Sequence, residues 1–149
     1  MREMDSVVID SSVLLSYKEG DLSAKKLIHD AIDESIAISV SAYSLFVLSR
    51  SNSFDRKSEI GFSSLLKFIN SISLTADMAM KAGYFYRSAS LDTNPYGQVD
   101  LFNLSEPNLD LVEDSVTCAL AQNMGCSVIS SRNNLLKDTE IEWIVLEEL

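Results

Sequence analysis

Three short stretches of this 149-residue chain carry the side chains best suited to chemistry, and all of them offer oxygen. Asp10 closes the run Val7-Val8-Ile9, Glu113 and Asp114 open an amphipathic stretch, and Ser131 and Asn133 follow Val128-Ile129-Ser130. Carboxylates brought together repel one another unless a proton or a cation lies between them. A hard ion such as Mg²⁺ or Mn²⁺ suits such a group, because it takes oxygen ligands and completes its shell with water. An ion held this way activates water and stabilises the charge of a phosphodiester under attack.

Other chemistries find no support in the residues. There is no Gly-x-Gly-x-x-Gly, no phosphate-binding loop and no Gly-x-Ser-x-Gly elbow. Ser12 stands two residues after Asp10, so the paired-aspartate loop of haloacid-dehalogenase-type phosphatases is absent. The only histidine, His29, sits in a helical pattern with no nucleophile near it and reads as a surface residue. Cys118 and Cys126 match no zinc spacing and read as small core residues in a reducing compartment.

For the three stretches to meet, each must lie at the same edge of a sheet. Val7–Ile9 is β-branched without alternation, which predicts a strand buried on both faces, as in a parallel sheet. Ser11 or Ser12 caps the helix that follows, leaving Asp10 at the carboxyl end of the strand, where open α/β sheets gather ligands. As a bare turn or capping carboxylate, Asp10 would need no such role. A helix from Asp21 to about Ser35 carries Leu22, Ala24, Leu27, Ile28, Ala31 and Ile32 as its apolar stripe. A second strand, Ile36–Val40, makes the order strand, helix, strand and so predicts a parallel pairing.

Ser41 or Ser44 starts an apolar helix, Tyr43–Ser49, and Asp55 opens another to about Ile72, with Ile60, Leu65, Leu66, Phe68 and Ile69 as core candidates. Ser73-Leu74 is a short extended piece before a helix capped by Thr75 that runs to about Leu91, with Met78, Ala79, Ala82, Tyr86 and Ala89 on one side. Phe85 and Tyr84 are assigned to packing, with a partner-facing surface as the other reading. Asp92–Asn108 holds both prolines and reads as a long loop. Leu109–Met124 is an amphipathic helix with acids in its first turn and Gly125 as its stop. Cys126–Ser130 and Ile141–Leu146 are the remaining strands.

At this length and with 46% hydrophobic residues, one domain spanning 1–149 can bury about two-thirds of its unfolded surface. No signal-peptide pattern or membrane-length apolar run is present, so a soluble, cytoplasmic protein is expected. The net charge of −10 is unevenly spread. Residues 1–87 hold 10 Lys+Arg and 11 Asp+Glu, whereas residues 88–149 hold 2 and 11. The acidic half opposes nonspecific binding to a phosphate backbone and suits a metal-binding pole, a basic partner or simple solubility. Arg50, Arg56, Lys57 and Lys67 form the densest positive region, either a solvated helix face or the wall of a nucleic-acid groove.

Val7-Val8-Ile9-Asp10-Ser11-Ser12-Val13-Leu14 resembles the opening motif of PIN-domain nucleases, including the VapC-type toxins. Glu113–Ala121 resembles their Asp-led helix of small residues, and Val128–Asn133 the strand and Thr/Ser-x-Asp/Asn turn that follow it. The order and spacing fit over nearly the whole chain. The resemblance implies a three-layer α/β/α sandwich with a central parallel sheet, a metal-dependent ribonuclease, a homodimer and, for the toxins, an antitoxin partner. By position it makes Asp10 and Asp114 ligands of Mg²⁺ or Mn²⁺, places Asn133 where the family has Asp or Asn, and makes Ser131 a hydroxyl that orients a neighbouring carboxylate.

One family feature is missing. The second acidic residue, at the start of the helix after strand two, falls on Leu45, and no Asp or Glu occurs between Glu34 and Asp55. Glu113, as a further metal ligand, or Glu59 from the next helix would have to replace it, although adjacent helical residues such as Glu113 and Asp114 point about 100° apart. Two readings result. One is an endoribonuclease that cleaves RNA with metal-activated water; the other is a catalytically impaired PIN-like domain that binds protein or RNA. The missing Glu favours the second, and the retained Asp10, Asp114 and Ser-x-Asn turn favour the first.

Overall fold

In the computed structural model, residues 5–93, 108–136 and 139–149 are described. The chain runs β1 (Ser6–Ile9), α1 (Ser11–Lys18), α2 (Leu22–Ile32), β2 (Ala37–Ser41), α3 (Ala42–Ser49), α4 (Arg56–Leu65), β3 (Asn70–Ile72), α5 (Ala76–Thr93), α6 (Leu109–Met124), β4 (Ser127–Ser130) and β5 (Trp143–Val145), closing in a 3₁₀ turn, Leu146–Glu148. The strands form one parallel sheet in the order β3-β2-β1-β4-β5.

β1 is central because it can be buried on both faces. Successive strand residues point to opposite sides, and Val7 and Ile9 pack with α1, α2 and α4 through Leu14, Leu27, Ile28 and Phe62. Val8 points the other way, onto Met78 of α5 and Leu120 and Ala121 of α6. Helices thus cover both faces of the sheet, giving three layers, α/β/α. On the second face α5 and α6 pack together through Ala82, Phe85, Ala89, Leu111, Val116 and Ala119. No helix among the described residues is long and apolar enough to cross a membrane.

Strand order reverses between β1 and β4, and the crevice outside their carboxyl ends is where such sheets receive ligands. Local chemistry fixes what enters that crevice. Asp10 itself caps α1, its Oδ1 accepting the Ser12 N–H at 3.0 Å, in place of the expected serine cap. A carboxylate accepts from the orphan amides of a helix start as readily as a hydroxyl does. Asp21, Ser41, Asp55, Thr75 and Asn108 cap the helices that follow in the same way. α6 ends on Gly125 at φ +67°, a left-handed stop that lets β4 turn back to the sheet.

The middle of the chain departs from the sequence pattern. The helix expected to reach Ile72 ends at Leu65, and Asn70–Ile72 is an edge strand pairing Asn70 with Ser39. The extended piece therefore precedes Ser73-Leu74 rather than coinciding with it. Ile60 and Phe68 are exposed, while Phe62 and Leu65 enter the core. Leu22 is likewise exposed at the start of α2, and α2 ends before Ser35, with Glu34 in a left-handed turn at φ +62°. Ala79 faces outward, and Phe85 is buried whereas Tyr84 is exposed. Cys118 is buried, but Cys126 is only partly so. Within the expected loop Asp92–Asn108, Asp92 and Thr93 end α5 and Asn108 caps α6; residues 94–107 lie outside the described residues.

Candidate functional site

Asp10 leaves β1 into the switch-point crevice fully buried. Its Oδ1 accepts from the Ser12 amide and hydroxyl, and its Oδ2 accepts from the Ser130 hydroxyl at 2.6 Å. Glu113 and Asp114 come to the same place from the second turn of α6, both buried. Their side chains diverge, as neighbours on a helix must, yet both stay in the cluster. Glu113 reaches the start of α1, where its Oε2 accepts the Ser11 N–H at 2.9 Å and its Oε1 the Ser11 hydroxyl at 2.8 Å. Asp114 turns toward the segment after β4, where its Oδ2 accepts the Leu135 N–H at 3.0 Å.

Arg132 fills the space between the three. Its Nη2 donates to Asp114 Oδ1 at 2.6 Å and to Glu113 Oε1 at 3.2 Å, and its Nη1 lies 3.7 Å from Asp10 Oδ2. Each of the six carboxylate oxygens of Asp10, Glu113 and Asp114 therefore already has a protein donor.

Burial sets the protonation behaviour. It pushes the Asp10 carboxyl above its ordinary range, with Glu113 adding to the rise, while Ser12, Ser130 and Arg132 pull it back. Burial also raises Asp114 to about 6, outweighing the opposite pull of Arg132 and the Leu135 amide. For Arg132 burial works against the charge, but Asp10, Asp114 and Glu113 together raise its affinity for the proton. The guanidinium therefore stays charged at any physiological pH.

The residues singled out by sequence are distributed as follows. Asp10, Glu113 and Asp114 come together. Ser131 lies beside them: its amide donates to Ser12 Oγ at 3.0 Å and its hydroxyl accepts from Ser16 at 3.2 Å, while the hydroxyl that reaches Asp10 is that of Ser130. Asn133 is exposed and makes none of the cluster's hydrogen bonds. Leu45 is half-buried and packs into the core of the first face, so α3 brings no carboxylate. Glu59 is exposed on α4 beside Arg56, Ile60, Ser63, Ser64 and Lys67, away from the cluster. Sequence reasoning missed Ser11, Ser12, Ser130 and above all Arg132. A signal for Arg132 existed, since it is one of two cations after residue 87 and stands between Ser131 and Asn133.

The arrangement does not fit a divalent ion. Among the described residues no group of three or more His, Cys, Asp or Glu is placed to hold one. The cation among the carboxylates is the guanidinium, at nitrogen–oxygen distances of 2.6 to 3.7 Å. An Mg²⁺ shell would need its oxygens at about 2.0–2.1 Å from a common centre.

Solved structures resemble this fold over nearly its full length. A toxin–antitoxin complex from Klebsiella pneumoniae aligns at a TM-score of 0.65 with 14% identity, covering 96% of this chain and 99% of that one. FitAcB from Neisseria gonorrhoeae aligns at 0.64 with 12% identity over 96% and 99%. VapBC2 from Rickettsia felis, bound to a DNA fragment from its promoter, aligns at 0.60 with 16% identity over 93% and 98%. This is a PIN/VapC-like fold. No family model matches the sequence, and no curated protein matches it. A PIN-like fold does not by itself carry the activity, which depends on the groups in the crevice. In this PIN-like chain those groups are three carboxylates, their serine donors and one arginine.

Proposed function

We propose that this chain is a catalytically impaired PIN-like domain that acts by binding a partner rather than by cutting RNA. One observation carries the reading: every carboxylate oxygen of Asp10, Glu113 and Asp114 is already engaged by a protein donor, with Arg132 as the cation among them. Leu45, where the family's Glu would stand, points the same way. The partner is a protein of antitoxin type, a reading supported by the likeness to toxin–antitoxin assemblies; pairing with a second copy of itself in the cytoplasm belongs to the same reading.

The second reading is a metal-dependent endoribonuclease, favoured by the meeting of Asp10 and Asp114 at the sheet's switch point. It would have Asp10, Asp114 and Glu113 hold Mg²⁺ or Mn²⁺ and Ser131 and Asn133 complete the site, with RNA lying toward Arg50, Arg56, Lys57 and Lys67. It requires Arg132 to leave.

A cleavage assay separates the two. Labelled RNA is incubated with wild type, Asp10→Ala and Asp114→Ala, each with excess Mn²⁺ or Mg²⁺. All three proteins should leave the RNA equally intact. Metal-dependent cleavage by wild type that disappears in both variants would establish the second reading instead.

A further inference from the structure

Arg132 is held in place more firmly than a surface ion pair requires. Its N–H donates to Ser130 Oγ at 3.3 Å, and its carbonyl accepts from Trp143 Nε1 at 3.3 Å. The two bonds fix the backbone on either side of the side chain. Beyond it, Nη2 touches three acceptors, Asp114, Glu113 and the carbonyl of Asp110, the last at 3.3 Å. Among the described residues it is the only cation paired with any of the three carboxylates.

A planar guanidinium with donors along a rigid fork can engage several carboxylates at once. It is also tethered, so its binding needs no capture of an ion from solution. Removing it would leave three buried acids facing one another, which is strongly unfavourable unless a proton or another cation enters.

We propose that Arg132 is the resident cation of this centre, an internal guanidinium standing where a divalent ion would otherwise be held. The inference rests on the metal-free reading of the site and names the residue that enforces it. The six carboxylate oxygens have their donors without metal, and taking away the guanidinium opens the centre to one.

The test uses the full chain, stripped with chelator at neutral pH, as wild type, Arg132→Gln and Arg132→Lys. Mn²⁺ binding is read by calorimetry and by the shift in Tm on adding Mn²⁺. Wild type and Arg132→Lys should show neither heat nor shift. Arg132→Gln should bind Mn²⁺ at least about tenfold more tightly than wild type, since one unit of opposing charge has gone from within 4 Å of the acids, and its Tm should rise with the ion. Equal Mn²⁺ binding by wild type and Arg132→Gln, or an equal gain in Arg132→Lys, would overturn the proposal. If Arg132→Gln does not fold in chelator, its refolding is followed by circular dichroism as Mn²⁺ is added; recovery supports the proposal and none overturns it. The two readings fail separately. Mn²⁺-dependent RNA cleavage by wild type defeats the impaired-domain reading, whereas a silent wild type with no gain in Arg132→Gln defeats only the role of Arg132.

Discussion

The Ser130 hydroxyl donates to Asp10 Oδ2 at 2.6 Å across 120 residues of sequence, tying the end of β4 to the end of β1. The bond is fully buried, and it holds Asp10 where Arg132 can reach it. Ser130→Ala leaves that oxygen with only the Arg132 Nη1 contact at 3.7 Å. A destabilisation of about 1–3 kcal/mol is expected, because a buried acceptor loses its donor. Urea unfolding of wild type and variant at one pH measures it, and an unchanged midpoint would show that the bond contributes nothing net.

Stability should depend on pH through Asp114. Its pKa is about 6 in the folded protein against 3.8 for the free group, so the folded state holds a proton that the unfolded state has released between those values. The stabilisation is complete below 3.8 and is lost as pH rises through about 6. Asp10 shifts in the same direction. Wild type should therefore lose stability, by a few kcal/mol at most, on going up through this window. Asp114→Asn should flatten that slope without abolishing it, since Asp10 remains. Denaturant midpoints measured across the window decide; an identical slope in the variant would contradict the assignment to Asp114.

Gly125→Ala isolates a backbone effect. An added Cβ would meet nothing within 4 Å, but φ is +67°. A loss of about 1 kcal/mol is expected from the left-handed conformation alone. Calorimetric melting should show a lower Tm with an unchanged site, monitored by the Mn²⁺ response described for Arg132.

Trp143 is the only tryptophan and donates to the Arg132 carbonyl. If the chain unfolds as one unit, its fluorescence transition will coincide with loss of helical circular dichroism. Trp143→Phe should lower stability by roughly 1 kcal/mol through the lost donor, and two separated transitions in wild type would divide the chain into more than one cooperative unit.

Much of this architecture was legible from periodicity and punctuation. Val7–Ile9 announced a central strand because no residue in it suits water. Gly125 marked the end of α6 because few other residues adopt that turn. Asn70–Ile72 was not legible, since three residues at a sheet edge, two of them exposed, carry too short a pattern to distinguish strand from continuing helix. The acidic triad could be placed at one edge because all its members follow or begin regular elements. Arg132 could not, because a side chain reaching across a crevice leaves no periodic trace. Ser130 escaped for a related reason. It reads as the last residue of a strand, and only the β1–β4 register turns it toward Asp10.

The place of β1 in the sheet also orders events during translation. β1 can pair with β2 as soon as both have left the ribosome, but its other edge waits for β4, whose residues 127–130 are made much later. Until then Asp10, Glu113 and Asp114 lack Ser130 and Arg132. Burying three acids without their cation is costly, so closure of the centre is left to residues made late in translation.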